Sequence, residues 1–318
     1  MIYGLMSGIL WGLDTVLLGI ALAATPFVST EQAIFLAPFV STFLHDMFSS
    51  IWMAIYMTFK KQLIQVFKAA MTRSGRFIAL GALLGGPVGM TGYLLAIKYI
   101  GPSYTAIISS LYPAIGALLS YIFLKEKLKP VAILGLFISI SGIIALGYTP
   151  GGEVTNLALG FIFAILCVIG WASEAVICAY GMKEDEITPE QSLQVRQLTS
   201  AIVYGFLIIP IVKGIKFTIG VLPTTATGII CLTALAGTAS YVFYYKGIHK
   251  IGATKAMSLN ITYSAWAIVI GIALLGNSID LKSIICCIAI MIGSIMAAGD
   301  INEITSMFFK NKKSKVLN

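Results

Sequence analysis

The sequence predicts an all-α membrane protein with ten transmembrane helices arranged as two inverted five-helix repeats. Three observations carry this reading. Of the 318 residues, 58% are hydrophobic and 11% charged, against roughly 25% charged in a soluble globular domain, so the solvent must be lipid. The apolar stretches are long and continuous, unlike the alternating ten-residue segments of a barrel. A helix satisfies every backbone amide and carbonyl within one such stretch. Third, the two halves of the chain match each other.

At about 20 residues per span, the spans fall at 2–24, 32–59, 76–98, 103–124, 130–148, 157–181, 190–212, 221–246, 253–276 and 281–300. Breakers and charges mark the connectors: Pro26, Lys60–Lys61, Gly101–Pro102, Lys125–Pro130, Pro150–Gly152, Lys183–Glu186 and Asn277–Asp280. Residues 60–75 read as a long loop. The first span lacks a basic leading region and is interrupted by Asp14, so it is expected to be a retained helix rather than a signal peptide.

The net charge of +8 does not call for nucleic acid, because the basic residues sort by loop. With both termini in the cytoplasm, 16 of the 21 Lys and Arg face inward, and Lys98, Lys213, Lys216 and Lys282 face outward. Arg196 lies within a span. The positive-inside rule selects this orientation, and the partner of the basic surface is the lipid bilayer. The tail at 305–318 reads as a basic cytoplasmic anchor. The five cysteines (Cys167, Cys178, Cys231, Cys286 and Cys287) lie in apolar runs without metal-ligand spacing, so they read as small buried residues.

Trp11 and Asp14 recur as Trp171 and Glu174, 160 residues later, each pair followed by a valine two residues on. Tyr93 recurs as Tyr244, Ile100-Gly101 as Ile251-Gly252 and Tyr112 as Tyr263, each 151 residues apart. The smaller offset requires a shorter connection in the second half, which the loop at 60–75 accounts for. The repeats are placed at 1–150 and 151–304. Five spans is an odd number, so the halves face opposite ways, with a site expected near the midplane between them.

No HExxH, GxSxG or P-loop lysine is present, so neither an enzyme nor a cofactor or metal is expected. Gly81, Gly85, Gly86, Gly89 and Gly92 flank Pro87 in the third span. This row reads as close helix packing, or as a hinge. Ionisable groups inside spans cost roughly 3 kcal/mol at the bilayer centre and are seldom ornamental. Asp14 and Glu174 each follow a tryptophan by three residues, which puts ring and carboxylate on one helix face. An indole beside a carboxylate suits a cation without hydrogen-bond donors, such as a quaternary ammonium. Trp52 reads as an anchor or packing residue. His45, Asp46 and Arg196 lie in the second and seventh spans, and His45 and Arg196 are 151 residues apart. They can pair across the halves, as structural glue or as a proton relay. Tyr112, Tyr263 and Trp266 lie within the fourth and ninth spans, as packing residues or as walls of an aromatic cage.

On these residues the chain resembles the drug/metabolite transporters of the bacterial EamA type, and more closely the LicB-type choline permeases. The segments that carry the resemblance are Gly81–Met90, Lys98–Gly101, Trp171–Glu174, Arg196–Ser200 and Lys255–Trp266 with Asn260 and Tyr263. It covers nearly the whole chain. It implies ten helices in inverted repeats in a bacterial cell membrane, and proton-coupled choline uptake through an aromatic pocket formed by Trp11, Trp171, Glu174, Tyr263 and Trp266. Asp14 departs from the small residue the resemblance leads one to expect, which bears on the preferred cation. Two other readings remain open at this point: an exporter of amino acids or cationic drugs on the same scaffold, and a non-transporting membrane protein.

Overall fold

A computed structural model describes residues 1–148, 154–183, 187–276 and 278–299. The Pro150–Gly152 connector, residues 184–186, Asn277 and the tail at 305–318 lie outside the described residues. Among the described residues, ten helices are long and apolar enough to cross a membrane: α1 (Ile2–Leu22), α2 (Glu31–Phe59), α3 (Arg73–Pro102), α4 (Tyr104–Leu124), α5 (Pro130–Gly147), α6 (Leu157–Gly181), α7 (Pro189–Ile211), α8 (Thr225–Ile251), α9 (Ala253–Leu275) and α10 (Leu281–Ala298).

The helices begin where the local chemistry requires. Thr30, Asn156 and Asp280 cap α2, α6 and α10 by accepting from the amides of Ala33, Leu159 and Ser283. Thr188 and Gln191 form a capping box at α7, with Pro189 at its first turn.

Two readings of the connectors need correction. Residues 60–75 are not a loop throughout: a short helix occupies Leu63–Met71, where Val66 and Ala69 are buried and Lys68 sits in the last turn. The eighth span starts at Thr225 rather than 221 and continues to Ile251, and a separate short helix covers Ile215–Val221, the counterpart of Leu63–Met71. Lys246 therefore lies on α8, where it pairs with Glu190 at 3.0 Å. Pro223 and Thr224 interrupt the apolar run there, so hydropathy alone misplaces the boundary by a turn. The connection at 60–75 does not account for the change of offset. His45 and Arg196, which precede these short helices, are already 151 residues apart, and most of the extra length lies at the start of α2, which begins 14 residues before His45 where α7 begins 7 before Arg196.

The repeat is visible in the backbone. Gly101 and Gly252 adopt φ +76° and +88° at the corners leading into α4 and α9. Lys125 and Gly276 end those helices in the left-handed region. The fourth helix of each half is also broken one step before its tyrosine, with new helical segments starting at Tyr112 and at Tyr263. Each of these pairs is 151 residues apart. Packing follows the same symmetry: α1 lies against α8 and α9, α6 lies against α3 and α4, α2 meets α7, and α5 meets α10. At the last crossing a Cβ on Gly135 would stand 2.5 Å from the Gly293 carbonyl, and one on Gly293 would stand 2.6 Å from that of Gly135. The absence of side chains lets these two backbones touch.

Candidate functional site

The first helix of each half carries its tryptophan and acid into the other half. Trp171 on α6 packs against Tyr93 (centroids 5.4 Å) and edge-on to Tyr112 (5.9 Å), both from the first half. Trp11 on α1 meets Tyr241 of α8 edge-on at 4.9 Å and the His45 ring at 6.4 Å. Strict symmetry with Tyr93 points to Tyr244 as the partner of Trp11. Instead Tyr241, one turn earlier, takes that place, and Tyr244 lies 6.4 Å from Tyr241. Trp11, Trp171, Tyr241 and Tyr244 are only partly buried.

The charged side chains nearby are buried and joined in one line. His45 Nε2 lies 2.7 Å from Asp14 Oδ1, and His45 Nδ1 lies 3.6 Å from Asp46 Oδ1. Arg196 crosses between the halves: Nη1 donates to Asp46 at 3.3 Å and Nε to Glu174 at 2.8 Å. Its remaining donors reach Gln197 (2.9 Å) and the Tyr241 hydroxyl (3.1 Å). Ser200 donates to Asp46, and Tyr245 donates to Glu174 at 3.3 Å. The two acids are therefore not free beside their own tryptophans. Each is held by a cationic or ionisable partner from another helix.

Glycines make this arrangement possible. A π-helical stretch at Leu84–Met90 in α3 turns Gly85, Gly86 and Gly89 toward the site. A Cβ on Gly86 would lie 2.4 Å from Ser200 Oγ, and one on Gly89 would lie 3.0 Å from the Trp171 ring. The glycine row thus serves close approach. Gly237 plays the same part on α8, where a Cβ would stand 2.6 Å from both Asp14 and His45.

Tyr112, Tyr263 and Trp266 complete the predicted aromatic set, Tyr112 as the edge-on neighbour of Trp171. The Tyr112 hydroxyl donates to Asn260 at 3.2 Å, and Asn260 donates to Ser7 at 2.7 Å, which links α4, α9 and α1. Tyr263 packs half-buried against the same apolar cluster as Trp171 and Tyr112. Trp266 packs against α1, with its Cβ at the Gly12 backbone next to Trp11, and its indole N–H is buried without a hydrogen-bond partner among the described residues. Trp52 is a packing residue whose indole donates to the Cys231 carbonyl at 3.0 Å.

Sequence reasoning missed Tyr241, Tyr245, Ser200 and Gln197. The available signal was the i, i+3, i+4 spacing of Tyr241, Tyr244 and Tyr245 on one face of α8. Among the described residues no cluster of metal-ligating side chains is present. A groove of about 550 Å³ lies elsewhere, between Phe77, Leu119, Phe123, Ser173, Val176, Ile177 and Tyr180. Phe123 is 67% exposed there, so the groove opens on the lipid-facing flank, away from the charges.

Ten membrane-spanning helices in two inverted repeats, with polar groups converging between the halves, define a carrier-type membrane transporter. The EamA-like transporter family model matches residues 1–148 and again 158–299, and the chain belongs to that family. It is 41% identical to Protein LicB of Haemophilus influenzae over 197 residues, 61% of this chain. The matched region spans 65% of LicB, just under two thirds of that protein. It is 23% identical to an uncharacterized transporter of Clostridium kluyveri, covering 69% of this chain and 71% of that protein. A crystal structure 18% identical, with a TM-score of 0.72, covers 93% of this chain and 96% of its own, which shows the shared fold.

Proposed function

We propose that this transporter imports choline or a related quaternary ammonium compound, coupled to protons, and is not an enzyme. It works in a bacterial inner membrane with both termini cytoplasmic. Residues 1–150 and 151–304 act as its two repeats and 305–318 as a cytoplasmic tail. The observation that carries this reading is the pairing of one indole from each half with tyrosines of the other, on the helices that also hold the buried acids. An aromatic surface over negative charge favours an organic cation that has little to gain from hydrogen bonds. The resemblance to choline permeases supports the same substrate class. In this reading Trp11, Trp171, Tyr112, Tyr263 and Trp266 form the walls, and Asp14 and Glu174 supply the negative charge. Glu174, His45, Asp46 and Arg196 are the groups through which proton coupling acts.

The test is uptake of labelled choline by proteoliposomes holding the purified protein. Saturable uptake is expected, with Glu174→Gln lowering it at least tenfold. Wild-type uptake by Glu174→Gln would remove the acid from its role. Absence of choline uptake, together with sensitivity of cells lacking the protein to cationic dyes, would point instead to export.

A further inference from the structure

We infer that the His45–Asp14 unit carries the coupled proton, with one proton transported per organic cation. The inference rests on the cation import proposed above. The line of side chains from Asp14 through His45, Asp46 and Arg196 to Glu174 contains three carboxylates, one guanidinium and one imidazole. All five residues are at most 7% exposed. A cluster that served packing alone would be expected to balance its charges, because an uncompensated charge in apolar surroundings is costly. This one does not balance. With a neutral imidazole it sums to minus two, and with an imidazolium to minus one. One proton and one organic monocation together bring it to zero.

Geometry selects the proton site. Asp46 and Glu174 both touch Arg196, and each also accepts from a hydroxyl, of Ser200 and Tyr245 respectively. Those donors, fixed on α7 and α8, already engage the oxygens of both carboxylates. Asp14 instead meets His45 Nε2 at 2.7 Å, so a neutral His45 keeps its proton on Nε2 and donates it to Asp14. That leaves Nδ1, 3.6 Å from Asp46 Oδ1, as the atom that gains the transported proton. When the proton departs, the Asp14 contact persists, so both states of the imidazole have a partner.

The groups around His45 are Asp14 on α1, its own neighbour Asp46, Arg196 on α7 with Glu174 behind it, Tyr204 on α7 beside Asp46, and Tyr241 on α8. Asp46 Oδ1 lies 3.3 Å from Arg196 Nη1, across the boundary between the halves. Protonation of His45 thus draws on the oxygen that ties the halves together, which links the proton to the motion between them.

The measurement is the equilibrium accumulation of labelled choline in proteoliposomes, with the membrane potential clamped to zero and a pH gradient imposed. One proton per cation requires the inside-to-outside ratio to change about tenfold per pH unit, because each tenfold step in ratio corresponds to about 1.4 kcal/mol. His45→Gln is expected to equilibrate choline with no response to the gradient. Choline entry by the wild type with a ratio that ignores pH would overturn the inference. So would a folded His45→Gln that keeps the tenfold response. If His45→Gln does not purify as a folded protein, Asp14→Asn is read for the final ratio alone, however slowly it is reached, and a ratio that still changes tenfold per pH unit would also overturn the assignment. No choline entry at all by the wild type would instead defeat the proposed function.

Discussion

Replacing Arg196 by glutamine is expected to destabilise the folded protein by about 3–5 kcal/mol, the usual cost of removing one partner from a buried ion pair. Arg196 is 4% exposed and stands between two carboxylates, Asp46 at 3.3 Å and Glu174 at 2.8 Å. Without it, two buried negative charges lose their common cation, and the Tyr241 hydroxyl loses a donor. The contact also joins the two repeats, so its loss should weaken their association rather than one helix alone. Unfolding in detergent reads the effect. The double variant Arg196→Gln/Glu174→Gln should recover part of the loss, because it removes one of the stranded charges. Lysine at 196 should fall between, since it keeps the charge without the planar fork. A loss below about 1 kcal/mol for Arg196→Gln would mean the pairs are solvated and weak.

Alanine at Gly85 is expected to reduce transport at least 100-fold. A Cβ there would overlap the Glu174 carboxylate at 1.6 Å from Oε2 and 2.4 Å from Cδ. Swinging the carboxylate aside does not relieve the clash, because Glu174 Cβ itself would be only 2.7 Å away and cannot rotate out of reach. Either α3 and α6 move apart or Glu174 leaves Arg196. Loss of about 3 kcal/mol of pairing corresponds to roughly 100-fold. Gly19→Ala is the matched control, because nothing lies within 4 Å of its added methyl group, and it should transport as the wild type does. Choline uptake by Gly85→Ala within twofold of wild type would show that the glycine row is not shaped around Glu174.

Much of this architecture was legible in the sequence because lipid imposes a simple rule: apolar runs about 20 residues long, broken by prolines and lysines. The 151-residue offset located the matched corners at Gly101 and Gly252 and the matched tyrosines at 112 and 263. The helices also break just before those tyrosines: Pro113 in the first turn of the new segment marks the first break, whereas neither Ile261 nor Thr262 marks the second. The intramembrane charges announced themselves through their cost. Their partners did not, since which acid meets which base depends on how helices from different halves face each other. Asp14 could be placed beside Trp11 by spacing alone, yet His45 lies 31 residues away in sequence and 2.7 Å away in space. Tyr241 was hidden for a different reason: a tyrosine stripe on an apolar helix looks the same whether it packs or lines a pathway.

If indoles from opposite halves receive one organic cation, calorimetric titration of choline into the purified protein, alongside Trp11→Leu and Trp171→Leu, reads that site without transport. One saturable site per chain is expected, weakened by about 0.5–2 kcal/mol in each variant if each ring face contributes a cation–π contact. Binding that is absent, or that is unchanged when either indole is removed, would contradict it.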